Sequence, residues 1–231
     1  MEIKKIPFGN LTCTCFSRPG SGRVAYVLYP LEAMDSWIAQ ASERYRSSIV
    51  VISGMDWDND LTPWKAPGVP EGSPAFKGGA GEFFNRLTEI VIPSIEHSMD
   101  LDAAPERTLI GVSLSGLFAL WQWPQSDFFR NIATLSGSFW YEDFVQWVSQ
   151  QPFTDKTGLC FMLLGEAEPR SRNPIFATVG KCTGEIVDYL RRQGVRITYK
   201  TVEGNHYQYP LRRLDMALSH IYGSGGNTEL R

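Results

Sequence analysis

Histidine is scarce in this chain, with three in 231 residues: His97, His206 and His220. Cysteine is nearly as rare, with four: Cys13, Cys15, Cys160 and Cys182. Cys13 and Cys15 are two residues apart on one side of an extended strand, which is poor geometry for a bridge. No second Cys/His pair with ligand spacing follows, so the four are read as reduced thiols. A disulfide scaffold and a structural zinc are excluded on these counts, and no metal or other cofactor is expected. Charge of one sign is also lacking. The formal net charge is -3, without a block of like charges, so neither nucleic acid nor an anionic membrane is expected as partner. No apolar run is long enough to cross a bilayer, and none follows the lysines of MEIKKIPFGN. A signal peptide and a membrane span are therefore not expected, and the default compartment is the cytoplasm. Internal repeats are absent too, which excludes solenoids and propellers.

What is present is an ordinary globular balance, 43% hydrophobic and 20% charged. It suits one domain, residues 1–223, followed by a flexible Gly/Ser-rich tail, 224–231. Apolar runs at 23–29, 48–53, 108–112, 132–135, 159–164 and 195–202 read as strands. Between and after them, amphipathic stretches at 33–45, 83–98, 114–123, 142–149, 175–193 and 211–222 read as helices. A Trp-, Pro- and Gly-rich loop fills 54–81. Strands that are continuous apolar runs and alternate with helices predict a mostly parallel central sheet with helices on both faces. Residues 1–19 add one or two antiparallel edge strands, and the alternating run at 195–202 suits the opposite edge. Ligands of such sheets bind at the carboxyl ends of the strands.

The chemistry is therefore sought just after each strand. Gly111-Val112-Ser113-Leu114-Ser115-Gly116 joins an apolar run directly to a helix. That is the setting of a nucleophile elbow, G-x-S-x-G, in which a sharp turn presents the serine. Ser115 occupies the position of the second glycine, and a bland alternative is that Ser113 only caps the helix. His206 is the one histidine that follows a strand, in Gly204-Asn205-His206, where a general base could reach Ser113. His97 and His220 fall within helices. Gly165-Glu166-Ala167-Glu168 follows the strand in between, and either glutamate could orient the imidazole in the chain order Ser, acid, His. Asp155 is weaker because it precedes its strand. An oxyanion hole needs two backbone N–H donors. Leu114 is expected to give one and Leu31 the other, since Pro30 has no N–H.

These segments resemble the esterase family of α/β hydrolases that includes esterase D, the enterochelin esterases and the feruloyl esterases. The resemblance runs from about Arg23 to Tyr222. It rests on Gly111 to Gly116, on Leu87-Thr88-Glu89-Ile90-Val91-Ile92-Pro93, on Leu135-Ser136-Gly137-Ser138-Phe139-Trp140, and on the segment from Val50 to Pro63. It implies an α/β-hydrolase fold without a separate lid domain. The family's G-x-x-[DE] and G-x-H patterns place the acid at Glu168 and the base at His206. The family's usual His-Gly after the first of these strands is replaced by Tyr29-Pro30.

The expected activity is hydrolysis of a short-chain or polar carboxylic ester through Ser113, His206 and Glu168. Trp57, Trp140 and Tyr207 are expected to line the substrate pocket. Trp57 and Trp64 are each read equally well as pins for their long loop. An acyltransferase with the same triad, and a binding protein on a lapsed hydrolase scaffold, are the competing readings. The expected partner is a small-molecule ester. The sequence leaves the oligomeric state open, a homo-oligomer included.

Overall fold

The computed structural model describes residues 3–18, 20–29, 35–101 and 104–223. The expected tail at 224–231 lies outside them. Ten strands are described. β1 (Ile3–Phe8), β2 (Leu11–Phe16), β3 (Arg23–Leu28), β4 (Ser48–Ser53), β7 (Glu106–Val112), β8 (Asn131–Leu135), β9 (Leu159–Gly165) and β10 (Arg196–Val202) form one eight-stranded sheet in the order β1-β2-β4-β3-β7-β8-β9-β10. β3, β4, β7, β8, β9 and β10 run parallel, while β2 is antiparallel to both β1 and β4. The N-terminal hairpin and the β10 edge sit where the sequence suggested.

The parallel strands read as unbroken apolar runs because both faces of the sheet are covered. On one face Tyr26, Val50, Leu109, Ile132 and Met162 pack under α3 (Ala80–Arg86), α4 (Ile92–Ser98), α5 (Leu114–Gln122), α6 (Phe144–Val148) and α8 (Val179–Arg192). On the other, Val27, Val51, Ile110, Leu135 and Phe161 meet α1 (Asp35–Tyr45) and α9 (Pro210–Tyr222). Alternate residues of one strand feed alternate cores, as the period of two requires. Among the described residues, no helix is long and apolar enough to cross a membrane.

Three regions differ from the sequence reading. The long loop holds a short helix, α2 (Trp57–Asp60), and a two-residue hairpin, β5 (Lys65–Ala66) with β6 (Phe76–Lys77). The helix expected at 83–98 begins at Ala80 and passes through a π-helical turn, Leu87–Val91, before α4. The stretch 175–193 is two helices, α7 (Pro174–Ala177) and α8, separated at Thr178, whose hydroxyl donates to the Ile175 carbonyl.

The chain order reverses between β3 and β7: β3 leads to β4 on one side, and β7 leads to β8 on the other. The crevice at such a switch point is where a ligand fits in an open parallel sheet. Gly111 closes this region. A Cβ there would lie 2.0 Å from the Ser115 carbonyl oxygen, a backbone atom with nowhere to go. Gly184, inside α8, has nothing within 4 Å of an added Cβ. Gly111→Ala is expected to cost on the order of 3 kcal/mol, and Gly184→Ala to gain about 0.8 kcal/mol. Urea denaturation of the two variants measures both signs.

Candidate active site

Ser113 stands between β7 and α5 with φ 60° and ψ -124°. A residue with a side chain enters this region only when its surroundings hold it there. Its N–H donates to the Leu135 carbonyl at 3.0 Å, and its own carbonyl accepts from Gly116 N, Leu117 N and Ser138 N at 3.0 to 3.1 Å. Ser113 makes no side-chain cap hydrogen bond to the helix, so the capping alternative fails. Its hydroxyl instead lies 3.3 Å from Ser138 Oγ.

The departure at Ser115 has a structural cause. The side chain is fully buried, and its hydroxyl accepts from Val112 N at 2.7 Å while sitting 2.6 Å from the Leu28 carbonyl and 2.8 Å from the Val112 carbonyl. A glycine would leave the ends of β3 and β7 without this tie. Leu114 is the first residue of α5, so its N–H has no partner inside the helix. Leu31, the second expected donor, lies outside the described residues.

His206 follows β10, and its Nδ1 is 2.8 Å from Glu168 Oε2. Glu168 opens a 3-10 turn, Glu168–Arg170, after β9, and its side chain is 5% exposed. Its other oxygen, Oε1, accepts from Ser136 Oγ at 2.6 Å, Gly165 N at 2.7 Å and Arg213 Nη1 at 3.3 Å. Burial raises the carboxyl pKa, but the hydrogen bonds from His206 and Ser136, the charge of His206 and the Gly165 N–H outweigh it. The net shift is downward. An ionised carboxylate only accepts, so Nδ1 carries the proton and Nε2 of the neutral ring is left to accept one. Glu166, the other candidate, is exposed. Its N–H pairs with the Val202 carbonyl.

Ser113, Ser138, Glu168 and His206 line one cavity of about 440 Å3. Its walls include Trp140, Phe176, Val179, Tyr207 and Arg170. Phe176 is presented by α7, whose N-cap Asn173 accepts from Ile175 N and Phe176 N. Its ring centroid is 4.8 Å from that of Trp140. Of the three aromatics expected at the pocket, Trp140 and Tyr207 are there. Trp57 is not among the lining residues, because α2 turns it against the core, where it is partly buried. Trp64 pins its loop, packing on Tyr141, Phe144 and Trp147 and donating Nε1–H to the Glu142 carbonyl.

Sequence reasoning gave no role to Ser138, Ser136, Phe176 or Arg213. The two serines fall inside a segment already singled out, Ser136-Gly137-Ser138. Arg213 had a readable signal: it lies four residues before Ala217 and eight before Ile221, on the apolar face of its helix. All four cysteines are free thiols, with Cys13, Cys15 and Cys160 buried. Among the described residues no group of three or more His, Cys, Asp or Glu side chains could hold a metal ion.

Comparison with known proteins places this geometry. No family model matches the chain. A protein of Bacillus subtilis (strain 168), the uncharacterized protein YbbA, is 27% identical over 203 residues, 83% of this chain and 80% of that one. An IroE-like serine hydrolase from Shewanella oneidensis superposes with a TM-score of 0.78 at 19% identity, covering 96% of this chain and 79% of the other. The siderophore hydrolase EstA from Aspergillus nidulans superposes with a TM-score of 0.76 at 18% identity, covering 96% and 93%. The fold is that of the α/β hydrolases.

The depressed Glu168 carboxyl has a consequence for stability. A group whose folded pKa is lowered contributes stability that is present above its unfolded value and lost as the pH falls through the folded one. Between about pH 5 and pH 3 the wild-type Tm is expected to fall more steeply than that of Glu168→Gln. Thermal melts across that range would count against this carboxylate if the two curves ran parallel.

Proposed function

We propose that this chain is a serine esterase in which Ser113 is the nucleophile, His206 the general base and Glu168 the acid that orients it. One observation carries the reading: the His206–Glu168 hydrogen bond stands at the same cavity as a serine held at positive φ on a strand-to-helix turn. In this reading the Ser113 hydroxyl, which lies 3.3 Å from Ser138 Oγ, turns toward His206 Nε2 across the cavity that both residues line. His206 takes the proton as Ser113 Oγ attacks the ester carbonyl, and Glu168 stabilises the imidazolium that forms. The Leu114 N–H lies beside the nucleophile and supplies one donor to the oxyanion. We assign the second donor to the loop after β3, at Leu31. His206 then returns the proton to the departing alcohol. In the second step it takes a proton from water, whose oxygen attacks the acyl-enzyme, and then gives that proton to Ser113 Oγ as the bond to the acyl group breaks and the acid leaves.

The pocket supports a modest ester. Trp140, Phe176 and Val179 offer an apolar wall, and Arg170 and Ser171 make the rim polar. The two solved structures described above carry the names of a serine hydrolase and a siderophore hydrolase, which agrees with ester cleavage. The buried contacts of the Ser115 hydroxyl account for one of the two departures that favour a lapsed scaffold, the other being Tyr29-Pro30.

Ser113→Ala is expected to lower kcat on p-nitrophenyl acetate by about four to six orders of magnitude, and to abolish labelling by a fluorophosphonate probe. Wild-type rates in that variant would refute the assignment. Trp140→Ala is expected to raise KM more for butyryl than for acetyl p-nitrophenyl esters, because it removes part of the apolar wall. A change of kcat alone would place Trp140 outside substrate binding.

A further inference from the structure

Arg213 is 3% exposed, on the face of α9 that carries Leu214, Ala217, Leu218 and Ile221 into the core. Burying a guanidinium is costly unless its donors are used against a partner charge. Here Nη1 donates to Ser136 Oγ at 2.6 Å and to Glu168 Oε1 at 3.3 Å, and Nη2 donates to the Asn205 carbonyl at 2.6 Å. Glu168 belongs to the loop after β9 and Asn205 to the loop after β10. The fork therefore spans the two loops that carry the acid and the base. Asn205 is the residue just before His206, and its turn is closed by Asn205 N to Gln208 Oε1 at 2.8 Å and Tyr207 N to Asn205 Oδ1 at 3.0 Å.

We propose that Arg213 is a positioning residue of this site: its planar fork locks the Glu168 carboxylate and the His206 loop into one geometry. The inference rests on the esterase reading above. Ser136 relays the contact, accepting from Arg213 and donating to Glu168 Oε1. With Gly165 N this fills Oε1, so Oε2 is left for the imidazole. A lysine would keep the charge but could not reproduce the fork. The other titratable groups near the pair are His206, Tyr199 of β10, whose phenol is raised by burial and then by the Glu168 charge, and Tyr29 at the end of β3, raised by burial and pulled back by Arg213. Among the described residues, only Arg213 brings a fixed positive charge to the buried Oε1.

The test measures kcat and KM for p-nitrophenyl acetate across pH in Arg213→Met, Arg213→Lys, Glu168→Gln and the double variant Arg213→Met/Glu168→Gln. Arg213→Met is expected to lower kcat about 100-fold with little change in KM. Its acid limb should move to higher pH, because without the guanidinium Glu168 takes up a proton earlier. Arg213→Lys should bring the limb back toward its wild-type position while leaving kcat reduced. The double variant holds no unpaired buried charge, so it is the folded reference if Arg213→Met unfolds, as judged by circular dichroism and Tm. It should be no slower than Glu168→Gln alone, as expected when one residue acts through the other. The role assigned to Arg213 is overturned if Arg213→Lys keeps the wild-type kcat, or if the double variant loses the product of the two single effects. Ser113→Ala separates the two levels: if it keeps its rate, the esterase reading falls and this inference with it. If Ser113→Ala is dead and the Arg213 variants keep both kcat and limb, only this inference falls.

Discussion

A serine at φ 60° and ψ -124° is an unfavourable backbone state, costing about 1 to 3 kcal/mol, and the centre of this molecule is arranged to hold it. Gly111 gives the room that the Ser115 carbonyl needs, and Gly116 lets α5 approach Gly137. The Ser115 hydroxyl fastens the ends of β3 and β7. Leu135 and Ser138, from the end of β8 and just beyond, hold the Ser113 peptide from the other side. The strained turn is thus bonded to three adjacent strand ends, all in the interior of the sheet. Opening it would require those strands to part.

The other half of the site is built differently. Glu168 and His206 stand on loops after the last two strands, and what ties those loops is polar: a carboxylate, an imidazole, a hydroxyl and a guanidinium within hydrogen-bond reach. A polar network in a dry place has few alternative arrangements, because any broken contact leaves a buried group unpaired. Ser113 is therefore fixed by backbone packing and the Glu168–His206 pair by side-chain chemistry. His206 keeps some exposure, with 31% of its side chain accessible, which lets a substrate and water reach Nε2.

Much of this was legible in the sequence for physical reasons. Strands that are buried on both faces must be apolar throughout, so their ends, and the residues just beyond, stand out. Ser113 and Glu168 are polar residues just past such ends, and His206 follows the alternating edge strand β10. Trp57 was misplaced because an aromatic residue in a long loop carries no sign of which way it turns, and α2 sends it to the core. The π-helical turn at Leu87–Val91 was invisible, since one inserted residue barely alters the apolar spacing. Ser138 and Arg213 matter through contacts with residues 25 and 45 positions away, Ser113 and Glu168. Arg213 nonetheless left a trace, a charge on the greasy side of its helix.

The two rims of the sheet share a further property. β1 carries Lys4, Lys5 and Pro7, and β10 carries Arg196 and Lys200. Proline has no N–H to offer a newcomer, and a row of cations repels its own copy. An open eight-stranded sheet could template filament growth at either end. Here the residues of both ends oppose pairing of the sheet with a second copy edge to edge.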